Sequence, residues 1–466
     1  MTASALPPQR ARVPAKFTTG SLINHILIMT GAGAVGLIAI FAGDFANILF
    51  LSWLQDVAVV AAVGYGSSVL FFTISIGIGL SIAASALISP AIGAGDLARA
   101  RRLTTNAHIA SFAVSVIVAA LVWIFIPPIL TLLGATGRTH ELATTYLRIL
   151  VPSTPFLSSA MTSAAVMRSV GDARRAMNVT LSIAIINIIL DLVLIYWAGY
   201  GVEGAAVSSV VARATAMGVG LYGVIHVHDL TARPKVPDFV ADIPALAAVA
   251  IPAMLTNVAS PVSNGYVTAA ISEHGDSAVA GWTIIGRLAP LAFGAIYALS
   301  GSIGPILGQN YGAGNAVRLR EAFTQSLLVN VGFTLAAWVL LAIFAVPLAD
   351  LMHATGEAAN LIVLYCRWIA PLFVFMGALF VANAAFNTLG RPQVSTVLNW
   401  GRATIGTIIP VKLAGAYAGA AGILWGFMLG GIVFGVLAVW MCYRMIAQLS
   451  AGMRRPDAIE TAAAAE

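Results

Sequence analysis

Charge is what this chain of 466 residues has least of. Only 9% of its residues are Asp, Glu, Lys or Arg, against 59% apolar, and its mean hydropathy is +0.93. A soluble chain devotes about a quarter of its residues to charge. A water-soluble globule with a large core is therefore excluded in favour of an integral membrane protein. Cysteine is nearly missing too. Cys366 and Cys442 are far apart in apolar segments and read as free thiols that pack as small apolar residues. Alternating apolar runs of the kind a β-barrel needs are lacking; the runs are long and continuous. No nucleophile–base pair and no metal-ligand cluster stands out, so neither an enzyme nor a resident cofactor is expected. The opening MTASALPPQRARVPAKF is short, basic and polar rather than a cleavable signal, and the apolar run after it reads as a helix that stays.

Long apolar runs are what is abundant. A helix needs about 20 residues to cross a membrane. Twelve such segments are predicted, near 22–49, 56–83, 105–133, 141–168, 177–199, 203–226, 243–272, 277–306, 321–349, 358–388, 394–412 and 420–446. The expected fold is an all-α polytopic membrane protein. An even number of spans puts both termini on one side. That side also receives Arg99, Arg101, Arg102, Arg174, Arg175, Arg233, Lys235, Arg318, Arg320 and Arg391, whereas the other holds little beyond Arg138 and Lys412. This asymmetry predicts cytoplasmic termini. It also accounts for the net charge of +6 through anionic lipid, with no nucleic acid needed.

The two halves repeat. GAGD at 93–96 returns as GAGN at 312–315, 219 positions later. At the same offset Arg99, Arg101, Tyr146, Arg148, Pro152 and Gly171 meet Arg318, Arg320, Tyr365, Arg367, Pro371 and Gly390. Six spans per half give a parallel repeat, a common transporter plan with the substrate path between the halves. The predicted organisation is an N-terminal arm (1–21), a first six-helix lobe (22–226), a polar cytoplasmic linker (227–242), a pseudo-symmetric second lobe (243–446) and a cytoplasmic tail (447–466).

Carboxylates are rarest inside the spans, where Asp44 and Asp191 are the two that lie well within one. An acid at that depth costs several kcal/mol unless paired or protonated, which makes it a functional candidate. Asn187 stands four residues before Asp191, one turn away on the same helix face. Counting from the span ends at 1.5 Å per residue sets Asp44, Asp191 and Ser209 roughly 9–12 Å below the face opposite the termini. Two carboxylates, an amide and a hydroxyl suit a hard cation or a proton; a structural polar cluster is the other reading. The second half lacks the acids: Asn187 and Asp191 meet Gly406 and Pro410, and Asp44 meets Asn264 with one residue added to the offset. Arg213 either pairs with Asp191 or faces an anionic substrate group. Asn257 and Asn264, flanking Pro261, and Arg287 either line the cavity or serve structure by bonding across helices or snorkelling.

These features resemble the multidrug and toxic compound extrusion (MATE) family. The resemblance spans nearly the whole chain: twelve spans, IGAGDLARARR and its echo LGQNYGAGNAVRLREAF, MRSVGDARRAM, FNTLGRP, and NIILD followed by GYGVEGAAVSS. It implies a secondary efflux transporter of the bacterial inner membrane. Such a transporter exchanges H⁺ or Na⁺ for small amphipathic organic compounds, typically cations, and a monomer suffices. Similarity to the DinF-like branch implies a cation site at Asp44, Asn187, Asp191 and Ser209, with Na⁺ placed at the first three if Na⁺ is the ion. The acids of the NorM-like branch have no counterpart. The proline common early in helix 1 is replaced by Gly31, Gly33 and Gly36. Two rival readings are a flippase or exporter of lipid-linked or other anionic substrates, which calls for a cationic cavity, and a non-transporting receptor or scaffold.

Overall fold

The computed structural model describes residues 14–52 and 56–453; most of the expected N-terminal arm and the tail beyond Met453 lie outside the described residues. Among the described residues every regular element is helical. The first lobe holds α1 (Leu22–Ser52), α2 (Val57–Gly93), α3 (Leu97–Leu132), α4 (Gly137–Ser169), α5 (Ala173–Trp197) and α6 (Gly201–Val227). The second opens with α7 (Val236–Ser272) and α8, whose two parts Asp276–Ala292 and Gly294–Gly312 meet at a 48° bend. There follow α9 (Ala316–Ile343), α10 (Glu357–Thr388), and the run Pro392–Met453, which turns at Ala418–Gly419 and so supplies both α11 (392–417) and α12 (420–453). Twelve crossings result. Leu121, Ile124 and Phe125 on α3 show how the outer faces stay apolar and exposed, as lipid contact demands.

The sequence repeat is written into the backbone. Gly95, Gly137 and Gly171 take positive φ, and so do Gly314, Gly356 and Gly390 at the 219 offset. Gly134 (φ 90°) is matched by His353 (φ 50°), which holds the left-handed turn without being glycine. Helix starts repeat as well: Asp96 caps α3 by accepting from the Arg99 amide, and Asn315 caps α9 by accepting from that of Arg318. Trp123 and Trp338 each donate an indole N–H to the carbonyl of an equivalent arginine, Arg148 and Arg367.

The lobes pack on each other in one half of the membrane and part in the other. On the side of the termini, buried clusters mix the lobes: Leu22, Ile26 and Met29 of α1 join Leu299, Ile303 and Phe323, while Leu246 and Val249 of α7 join Ala84 and Ile88. On the opposite side each cluster stays within its own lobe. A cleft therefore opens away from the termini. Its floor is the crossing of α2 and α8, where a Cβ on Gly93 would fall into the backbone of Gln309 and one on Gly312 into that of Pro90. The pairs are reciprocal, because Gln309 is the repeat partner of Pro90. The segment Lys16–Thr18 caps this floor. Phe17 is buried there, its amide donating to Gln309 and its carbonyl accepting from Arg318, while Lys16 reaches the carbonyl of Gly171.

One expectation shifts. The predicted linker is already helical from Val236, because Pro237 opens a helix that runs unbroken into α7. What precedes it is stitched to α3, where Arg101 donates to the Asp229 carbonyl and carboxylate and Thr105 bonds both ways with Ala232, and in the first turns of α7 Asp242 is held by Arg102 and Asn106. His228, in the same connection, binds Asp172 at 3.0 Å. Burial alone would raise the Asp172 carboxyl, but hydrogen bonds from the Arg175 side chain and amide and from His228 outweigh it and hold it below its usual range. Along a continuous α1, Gly33 closely faces Ala298 and Gly36 faces Thr180, whereas Gly31 has open space beside it. Both cysteines are buried and free.

Candidate functional site

Asp191 is the centre of the polar site. It is the last α-helical residue of α5; the chain then widens into a π-helix over Leu192–Trp197. Such π-turns are frequent where a side chain must be aimed. Asp191 is fully buried. One carboxylate oxygen accepts from Ser208 Oγ on α6, and the other from Asn47 Nδ2 on α1 at 2.8 Å. Three helices of the first lobe thus converge on one acid. No basic side chain forms an ion pair with it among the described residues.

The other expected residues fall around it unevenly. Asp44 sits one turn before Asn47 on α1, is exposed, and accepts no hydrogen bond among the described residues. It lies within electrostatic reach of both Asp191 and Arg213. Asn187 is one turn deeper on α5; its Oδ1 is buried without a partner, and no hydrogen bond ties it to Asp191. The hydroxyl expected at Ser209 is not the one at the acid. Adjacent helix positions are rotated by about 100°, and it is Ser208 that turns inward while Ser209 is half-buried beside it. Arg213 does not pair with Asp191. It is buried and donates to Ser153 Oγ at 3.1 Å, in the 3₁₀ turn Val151–Ser153 of α4. It belongs to the interior of the first lobe rather than to an open surface.

In the second lobe, Asn257 bonds back to the carbonyl of Ala253, while Asn264 and Arg287 are exposed. Two residues escaped the sequence reading. Asn47 carried a signal, since it stands three after Asp44 on the same face. Ser208 carried half of one, in the doublet Ser208–Ser209, where only the helix rotation decides.

Asp191 with Ser208, and the nearby Asp44 and Asn187 on the same lobe, offer oxygen donors. They suit a proton or a small hard cation. Among the described residues no group of three His, Cys, Asp or Glu side chains stands together.

Comparison with known proteins agrees with this architecture. The MatE family model matches residues 33–193 and 252–411, more than half of the chain. A protein named FAD transporter from Shewanella oneidensis is 29% identical over 432 residues, covering 91% of this chain and 95% of the relative. Multidrug export protein MepA of Staphylococcus aureus is 22% identical over 406 residues, covering 85% and 88%. Among solved structures, a mutant of the Vibrio cholerae MATE transporter VcmN superposes with a TM-score of 0.86 at 24% identity, covering 91% of this chain and 96% of its own. A transporter of the MOP superfamily from Pyrococcus furiosus, described as having a binding pocket of reverse polarity, gives 0.87 at 22% identity, covering 95% and 99%. With two pseudo-symmetric six-helix lobes around a cleft and a family match across both, the chain belongs to the MATE family of multi-pass membrane transporters.

Proposed function

We propose that this protein is a secondary active exporter of the bacterial inner membrane, with both termini cytoplasmic, that exchanges inward H⁺ or Na⁺ for outward small amphipathic organic compounds. The observation that carries the reading is Asp191: a carboxylate sealed inside the first lobe, held by Ser208 and Asn47 from two other helices, with no basic partner. A buried charge of this kind is costly unless its neutralisation is used. Because α1, α5 and α6 all touch it, a change in its charge alters the packing of three helices at once. Ion binding and substrate binding then oppose each other through the lobe, each weakening the other by the same factor. The cleft open away from the termini supports release on that side. Asp44, an exposed acid on α1, supports organic cations as one substrate class. The name of the Shewanella relative supports a second, flavin-like class.

The test is transport in proteoliposomes under an imposed gradient. Asp191→Asn keeps the shape and removes the titration, and is expected to abolish gradient-driven efflux of ethidium or FAD from a folded protein. Asn264→Ala, at the position equivalent to Asp44, is expected to leave it within about twofold, the size of a lost surface contact. A pH gradient without Na⁺ and a Na⁺ gradient at constant pH separate the two ions. Wild-type rates in Asp191→Asn sink the reading.

A further inference from the structure

The second lobe buries a charge that ion coupling does not use. Arg402 lies at mid-span on α11 and is 1% exposed. A guanidinium brings five N–H donors and no acceptor. Its Nη2 donates to Ser260 Oγ of α7 at 3.2 Å. Its Nε is buried without a partner, and no carboxylate pairs with it among the described residues. A cation enclosed this way is costly until an anion arrives.

The backbone is irregular at the same place. α11 leaves helical geometry at Thr404 (φ −100°, ψ −87°), two residues past Arg402. α8 bends by 48° at Phe293, and Tyr297 stands one turn beyond the bend. Broken helices are tolerated at mid-membrane where they face a cavity, and such breaks commonly mark binding sites. Tyr297 is 37% exposed and lies within electrostatic reach of Arg402. Its ring centroid is 5.3 Å from that of Phe380 and 6.0 Å from that of Phe373. Aromatic rings, with Tyr297 tilted 34° to Phe380, thus stand near an unneutralised guanidinium.

We propose that Arg402, Ser260 and Tyr297 form a subsite for the anionic group, phosphate or carboxylate, of an aromatic substrate whose ring stacks on Tyr297 and Phe380. This deepens the transport reading by naming a substrate class, and rests on it only in taking the cleft as the substrate path. Planar, forked donors match phosphate and carboxylate, and aromatic faces hold flat rings with little lost entropy.

Equilibrium binding to the purified full-length protein in detergent, with no gradient, tests the subsite apart from coupling. FAD, riboflavin and ethidium are compared. Wild type is expected to bind FAD at least about tenfold tighter than riboflavin, the effect of roughly one charge-assisted hydrogen bond. Inorganic pyrophosphate is expected to compete with FAD and not with riboflavin. Arg402→Gln should erase the FAD preference, Arg402→Lys should restore part of it, and neither should change ethidium binding. Benzoate against benzamide gives the carboxylate arm in the same format. Equal wild-type affinity for FAD and riboflavin together with equal affinity for benzoate and benzamide overturns the proposal, even if the variants fail to fold. So does an Arg402→Gln protein of wild-type Tm that loses all the ligands alike. Intact FAD preference with no gradient-driven efflux would instead break the coupling reading alone.

Discussion

The two lobes share a backbone and differ in the charged side chains they bury. Their turns repeat at a fixed offset, down to Gly134 and His353 in the same left-handed conformation. Yet the first lobe buries Asp191 among Ser208 and Asn47, while the second buries Arg402 against Ser260. Symmetry is kept where the backbone itself makes contact and abandoned at the charged side chains buried within each lobe. Scaffold and chemistry are therefore separable, and substitutions at equivalent positions tell which is which.

The largest effect is expected at the floor of the cleft. Gly93→Val and Gly312→Val should each abolish transport, since either side chain would occupy the backbone of the facing helix. Gly265→Ala, with nothing within 4 Å, should be near neutral. Transport assays on all three check it; a harmless Gly312→Val beside a dead Gly93→Val would break the symmetry of the scaffold. Next comes the serine doublet. Ser208→Ala should cut gradient-driven efflux by about tenfold, the scale of one hydrogen bond to a charged group, and Ser209→Ala by less than about twofold. The reverse order would return the site to Ser209.

Phe17→Ala should act more weakly, by a few-fold in rate. It removes a buried ring on the floor, whose closure also rests on the α2–α8 crossing. Increased thiol labelling of a cysteine introduced at Ser169, whose carbonyl accepts from Gln309 there, would register the loosening. The smallest effect concerns pH. The Asp172 carboxyl is held below its usual value of 3.8, so its contribution is complete above that value and fades as pH falls beneath it. Proteolysis of the loop after α6 should quicken below about pH 4 in wild type and be faster and flatter with pH in Asp172→Asn. A wild-type loop equally resistant at both pH values would dismiss the contribution.

Much of this was legible in the sequence. Twelve spans and two lobes follow from apolar length and from the GAGD–GAGN echo, because crossing a bilayer leaves few alternatives. Asp44, Asn187 and Asp191 stood out because acids and amides are conspicuous in apolar runs. What escaped depended on rotation and reach. Choosing Ser208 over Ser209 needs the helix phase at α6, and Arg213 bonding Ser153 needs the 3₁₀ turn of α4. The interest of Arg402 lies in what fails to face it, and no spacing rule records that. The linker was misjudged at its end because polar residues and prolines signal a loop, whereas a proline in the first turn of α7 starts a helix.

The stitched connection between the lobes has a consequence for how the protein is made. Arg101, Arg102, Thr105 and Asn106 leave the ribosome more than a hundred residues before Asp229 and Asp242 do. Chains fold N-terminal units first during synthesis. The sockets on α3 are therefore in place when the connecting strand emerges, and they catch it before most of the second lobe exists. α7 enters the membrane with its first turns already registered against the finished half, so the second set of six helices assembles on a fixed template rather than docking as a separate body.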